Sequence, residues 1–168
     1  MMDRRFDPLE ILRRLNANGV RYVLIGGLAA KAHGSPTLTV DVDICYDRER
    51  DNMERLAAVL GGLGAVLRGA PADLPFRPDA ETLRRGDTFT LRTDLGDLDV
   101  LGTPSGTAGF NELDANASLT ELADGLVVPV ASLDDLIRMK RAAGRPKDRV
   151  ELEILGALRD EIEGVPSE

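Results

Sequence analysis

The apolar positions of this 168-residue chain fall into short runs whose period changes repeatedly between helical and extended spacing. Asp7-Pro8 reads as a helix start, with a capping carboxylate, proline at the first helical position and Glu10 in the first turn. Leu9, Ile11, Leu12 and Leu15 form a helical stripe that Asn18-Gly19 closes. RYVLI, residues 21–25, predicts a short buried strand. Gly26-Gly27 turns the chain into a short helix over 28–33, and Gly34-Ser35-Pro36 breaks it. Residues 38–46 predict the next strand, and 47–60 an amphipathic helix with Met53, Leu56, Ala57 and Leu60 inward. A short strand is expected over 65–67, and the three prolines of residues 70–78 predict a loop. DTFTLRT (87–93) and residues 97–101 read as a hairpin across Leu95-Gly96. Residues 102–116 look irregular, and 126–130 read as a strand. Ser132 caps a helix running to about 143, Gly144-Arg145-Pro146 breaks it, and a last helix covers about 147–162.

This order predicts an α+β fold, a small mixed β-sheet covered by helices, with a C-terminal helical pair. The expected organisation is one domain over 1–168, with an α/β core over about 1–130 and helices over about 131–163.

Within that frame, the strand over 38–46 carries an anomaly. Asp41 and Asp43 lie two apart, so both carboxylates point to one face while Val40, Val42 and Ile44 point to the other. Close like charges on a half-buried strand call for proton sharing, basic partners or a metal. Asp97 and Asp99 repeat the alternation on the later strand, and if the two strands are neighbours Asp99 joins the first pair. Three carboxylates suffice for divalent ions, of which magnesium takes oxygen ligands together with substrate phosphates. Solvated aspartates on an exposed strand face would give the same pattern.

Composition narrows the alternatives. The formal net charge is −8, which disfavours non-specific nucleic-acid binding, and there is no tryptophan. Yet residues 138–149, RMKRAAGRPKDR, hold six basic residues and one acid, a local anion site in an acidic protein. One cysteine, Cys45, excludes an internal disulfide and reads as inert core, which places the chain in the cytoplasm. No run of residues is long and apolar enough to span a bilayer, and the N-terminus MMDRRFDPLE does not read as a signal peptide. His33, the single histidine, reads as a helix cap or packed side chain.

Taken together, Gly26-Gly27 after a strand, the Asp41-x-Asp43 strand and the later Asp99 resemble the nucleotidyltransferase superfamily with the DNA polymerase β-type fold. GGLAAKAHGSPTLTVDVDI with LIRMKRAAGRPKD further on resembles the minimal nucleotidyltransferases that include the AbiEii and MenT toxins. The resemblance implies transfer of NMP from an NTP to an acceptor such as tRNA or a protein, with Mg2+ (or Mn2+) as cofactor and an antitoxin as partner. Position by position, it implies that Asp41, Asp43 and Asp99 hold metal and serve catalysis, with Asp99 also activating the acceptor hydroxyl. Gly26 and Gly27 would cradle phosphates, Lys140 would contact the triphosphate and serve catalysis with the acids, and Arg145, Lys147 and Asp148, which match an RxKD element, would bind the nucleotide. Ser35 is a candidate phosphate contact or turn residue, and Thr39 a nucleotide-side neighbour of the acids. Relatives often carry arginine at the position of Thr37 or Leu38, and this chain does not. Two other readings stand beside it: a small-molecule, antibiotic-type nucleotidyltransferase, and a non-catalytic binding protein on the same scaffold.

Overall fold

The computed structural model describes residues 5–71 and 73–164; the first four residues, part of the segment read above for a leader, lie outside it. The helix α1 (Pro8–Ala17) starts where Asp7 accepts a hydrogen bond from the Glu10 amide at 3.1 Å, and it buries Ile11, Leu12 and Leu15. It is followed by β1 (Tyr22–Ile25), α2 (Gly26–Ala32), β2 (Asp41–Tyr46), α3 (Arg50–Gly62) and β3 (Val66–Leu67). Next come α4 (Ala80–Arg85), the hairpin β4 (Thr88–Thr93) and β5 (Gly96–Leu101), and α5 (Phe110–Asn116). A second hairpin, β6 (Ser118–Ala123) and β7 (Leu126–Val130), leads into α6 (Leu133–Ala143) and α7 (Asp148–Ile162).

The strands form one mixed sheet in the order β3-β4-β5-β2-β1-β7-β6. The α+β architecture with a C-terminal helical pair therefore stands. β2 is central, antiparallel to β1 and parallel to β5. Its register sets Asp41 opposite Asp97 and Asp43 opposite Asp99. Val42, Ile44 and Tyr46, on the face away from the acids, are fully buried. Each buried aliphatic chain contributes about 1.5–3 kcal/mol. That anchorage offsets the several kcal/mol that desolvating a carboxylate costs.

The structure departs from the sequence pattern in five places, the first being α4, a six-residue helix between the proline-rich loop and the hairpin where the pattern marks no element. Residues 38–40 are not strand: Leu38 and Val40 are 87% and 77% exposed, because ladder pairing with β5 begins only at Asp41. The helix expected from residue 47 starts at Arg50, since Asp47 turns the chain by accepting the Glu49 amide at 3.2 Å. The stretch read as irregular contains α5, a helix of under two turns whose one buried residue is Leu113. The edge strand β6 was not expected; SLTELA carries no residue that is fully buried, so no alternation marks it. Cys45 shares the acids' face by alternation, yet it is fully buried beneath them and its Sγ lies 3.5 Å from the Gly102 carbonyl.

Candidate active site

The site assembles where β1 passes directly into α2. Gly26 sits at φ +69°, a left-handed backbone that a side-chain-bearing residue adopts only with strain. A Cβ there would lie 2.8 Å from Cγ of Asp43. At Gly27 it would lie 3.0 Å from Oγ1 of Thr39. Gly26 is thus required by its backbone and by the close approach of Asp43, and Gly27 is tightly packed against Thr39, before any phosphate is considered. Thr39 in turn donates to the Asp41 carbonyl at 3.0 Å, fixing the entry to β2.

From adjacent parallel strands, Asp41, Asp43 and Asp99 each bring one carboxylate oxygen within 4.8 Å of the others. This crowding is electrostatically unfavourable. Burial pushes Asp43 up to about 8, and the charges of Asp41 and Asp99 push in the same direction. Asp99 is also raised by burial, against the pull of Arg68. An arrangement that must bind protons to tolerate itself is one that a divalent cation would relieve, and three oxygen donors suit a hard ion. The residues therefore fit a metal.

Arg68, just after β3, escaped the sequence reading. Its Nη2 donates to Asp99 Oδ1 at 2.8 Å, and its Nη1 lies 3.5 Å from Asp97. Asp97, the fourth carboxylate on this face, is thereby drawn to the guanidinium. No motif marks Arg68, because the contact joins residues 31 apart through strand pairing.

The acids line a cleft of about 750 Å³ whose opposite wall is built by α6 and α7. Gly144, at φ +63°, ends α6 and lets the chain reverse into α7. Asp148, 3% exposed, accepts Lys140 Nζ at 3.2 Å and Arg145 Nε at 2.8 Å. Burial raises its carboxyl, but the bonds from Arg145 and Lys140 outweigh that and hold it below the ordinary carboxylate range. Lys147 lines the same cleft and makes no ion pair among the described residues. The structure thus brings Gly26, Gly27, Thr39, the three acids, Lys140, Arg145, Lys147 and Asp148 to one cavity. Ser35 does not line it: the side chain is buried and donates to Glu151 at 3.1 Å. His33 donates from Nε2 to the Ala131 carbonyl at 2.8 Å, a packing contact between α2 and the approach to α6.

No protein-family model matches the sequence, and no curated protein matches it. Solved structures do match in three dimensions. The lincosamide antibiotic adenylyltransferase LnuA, bound to lincomycin, aligns with a TM-score of 0.60 at 15% identity, over 93% of this chain and 99% of that one. ANT(2'')-Ia, in complex with adenylyl-2''-tobramycin, aligns with a TM-score of 0.58 at 18% identity, over 92% of this chain and 88% of that one. The fold is that of the nucleotidyltransferases. On this nucleotidyltransferase fold the acid-bearing strands and the glycine turn share one cleft with the cations of the C-terminal helices. No helix among the described residues is long and apolar enough to cross a membrane.

Proposed function

We propose that this chain is a magnesium-dependent nucleotidyltransferase that moves a nucleoside monophosphate from an NTP to an acceptor and releases pyrophosphate. The observation that carries the reading is the convergence of Asp41, Asp43 and Asp99 in a cleft whose other wall presents Lys140 and Arg145. Asp41, Asp43 and Asp99 are the residues that would hold the ion. A bound divalent cation neutralises charge on the reacting phosphate and favours the deprotonated acceptor. The chain's own groups do the rest. Lys140, Arg145 and Lys147 draw the β- and γ-phosphates to the helical wall, and Gly26 and Gly27 leave room for them beside the acids. Arg68 orients the Asp99 carboxylate through a bond to Oδ1, and that carboxylate takes the acceptor's proton. The bond from the acceptor oxygen to the α-phosphorus forms as the bond to the pyrophosphate oxygen breaks. Positioning of the two partners supplies most of the acceleration.

Two acceptor classes fit this chemistry. The resemblance to AbiEii and MenT points to RNA, such as a tRNA end, or to protein, with a toxin role and an antitoxin partner in the cytoplasm. A small-molecule acceptor is supported by how few cations of residues 138–149 remain for one. Arg138 is paired with Glu112 and Asp135, and Lys140, Arg145 and Lys147 are assigned to the triphosphate, so of the six basic residues there only Arg141 and Arg149 are left for an acceptor. A polyanionic acceptor is held by open cations, and a chain of charge −8 offers few. We therefore favour the small-molecule acceptor.

Protein, magnesium and labelled NTPs are incubated with total RNA, with cell extract, or with the small-molecule fraction of an extract. The reading expects label in the small-molecule fraction that Asp41→Ala abolishes. Label in RNA or protein that the variant abolishes keeps the transferase reading and restores the toxin version. Label in no fraction, or label that Asp41→Ala leaves unchanged, overturns the transferase reading in favour of a non-catalytic scaffold.

A further inference from the structure

The two walls of the cleft are joined at one place. Asp148 and Glu151 lie three apart on α7 and so share its inner face. Asp148 takes cations, but Glu151, 8% exposed, takes none among the described residues. Its Oε1 accepts Ser35 Oγ at 3.1 Å and its Oε2 accepts Thr37 Oγ1 at 2.6 Å. Ser35 Oγ also accepts the Thr37 amide at 3.3 Å, so hydroxyls, amide and carboxylate form one small network.

That network sits on a stretch of chain outside any helix or strand. Residues 35–40 form no helix or strand, and they connect the helix after the glycine turn directly to Asp41. Thr37 and Glu151 both line the cleft. A buried carboxylate satisfied by hydroxyls alone is an expensive way to pin a loop, because its charge is desolvated without a cation in return. A pair of aliphatic side chains would pin it at lower cost. What the carboxylate adds is direction: two bonds of fixed geometry from the helix that carries Asp148 to the segment that feeds the metal-binding strand.

We propose that Glu151 is a positioning residue for the nucleotide. Through Ser35 and Thr37 it sets the separation between the cations that hold the triphosphate and the acids that hold the metal. The proposal rests on the nucleotide reading above and names a residue that reading does not use. It separates two kinds of binding. A metal alone needs only the acids of the sheet, whereas an NTP must bridge both walls.

The test uses the full-length chain and two titrations by calorimetry: Mn2+ alone, and each of the four NTPs with Mg2+. Loss of hydrogen bonds to a charged group predicts that Glu151→Ala weakens NTP binding about tenfold and Thr37→Val about threefold. Both variants should keep the Mn2+ affinity of the unaltered chain. The double variant should bind NTP no more weakly than Glu151→Ala, because both changes break one shared contact. Glu151→Gln, whose amide can serve both hydroxyls, should stay within about threefold of the unaltered chain. NTP binding by Glu151→Ala equal to that of the unaltered chain overturns the proposal, and so does an equal loss of Mn2+ and NTP. Should Glu151→Ala not fold, Thr37→Val decides alone, since Thr37 is exposed and its replacement leaves the core intact. An unaltered chain that binds Mn2+ but no NTP fails the nucleotide reading itself, which distinguishes that failure from this one.

Discussion

Asp43→Asn keeps the shape of a side chain packed against Gly26 and removes its charge. In the native protein the Asp43 carboxyl is pushed up to about 8 from an ordinary 3.8, chiefly by burial and then by Asp41 and Asp99. The folded chain therefore retains a proton over a pH range where the unfolded chain has lost it. Stability must fall as pH rises from about 4, and the full penalty is in place above about 8. A tenfold change in proton affinity is worth about 1.4 kcal/mol, so the full displacement corresponds to an upper limit of about 6 kcal/mol. The proton is shared among three carboxylates, so the amide recovers only part of this, on the order of 2–4 kcal/mol. Without metal at pH 8, Asp43→Asn should be more stable than the native chain by that amount, and the gain should vanish near pH 4. Urea unfolding at pH 4, 6 and 8, with and without Mg2+, measures this. Magnesium should stabilise the native chain at pH 8 and leave the variant unmoved. An Asp43→Asn protein that is less stable than the native chain at pH 8 without metal would refute the claim that the acids repel one another in the folded state.

Three further outcomes are expected. Gly26→Ala places a side chain at φ +69° and against Asp43, at a cost of about 1–3 kcal/mol, and should abolish stabilisation by Mn2+ in thermal unfolding. Asp148→Asn leaves Lys140 and Arg145 without their buried partner, and should raise the KM for NTP about tenfold while destabilising the fold by about 1–3 kcal/mol in denaturant titration. Arg68→Gln removes the cation that pulls Asp99 down, so the acidic limb of the rate–pH profile should move to higher pH, whereas an unmoved limb would show that Asp99 does not titrate in that limb.

The acids were legible in the sequence because strand alternation is local: Asp41 with Asp43, and Asp97 with Asp99, share a face whatever the rest of the chain does. That β2 and β5 would be neighbours, in the register that sets Asp43 beside Asp99, was a condition the sequence could state but not meet. The glycine pair was legible as a turn; its reason was not, since Gly26 makes room for a side chain 17 positions away. Arg68 and Glu151 were invisible for the same cause, each being defined by contacts across 31 and more than 100 residues. The run of cations at 138–149 misled in the opposite direction. Read as charge it is an open patch, but Asp148, Asp135 and Glu112 close half of it. Leu38 and Val40 misled likewise, because β-propensity is satisfied only where a partner strand is present.

The central place of β2 in the sheet has a consequence for wear. A strand hydrogen-bonded on both sides, by β1 and β5, exchanges its amides only when the whole domain opens. The α6–α7 pair lies outside the sheet and is held to the core by packing of Leu133, Leu136, Ile137 and Leu155, with no ladder of backbone hydrogen bonds to the strands. The carboxylates are then as durable as the molecule, while the phosphate-gripping half is only as durable as one pair of helices. Heat or denaturant should accordingly strip the protein of its hold on nucleotide while its hold on a divalent ion persists.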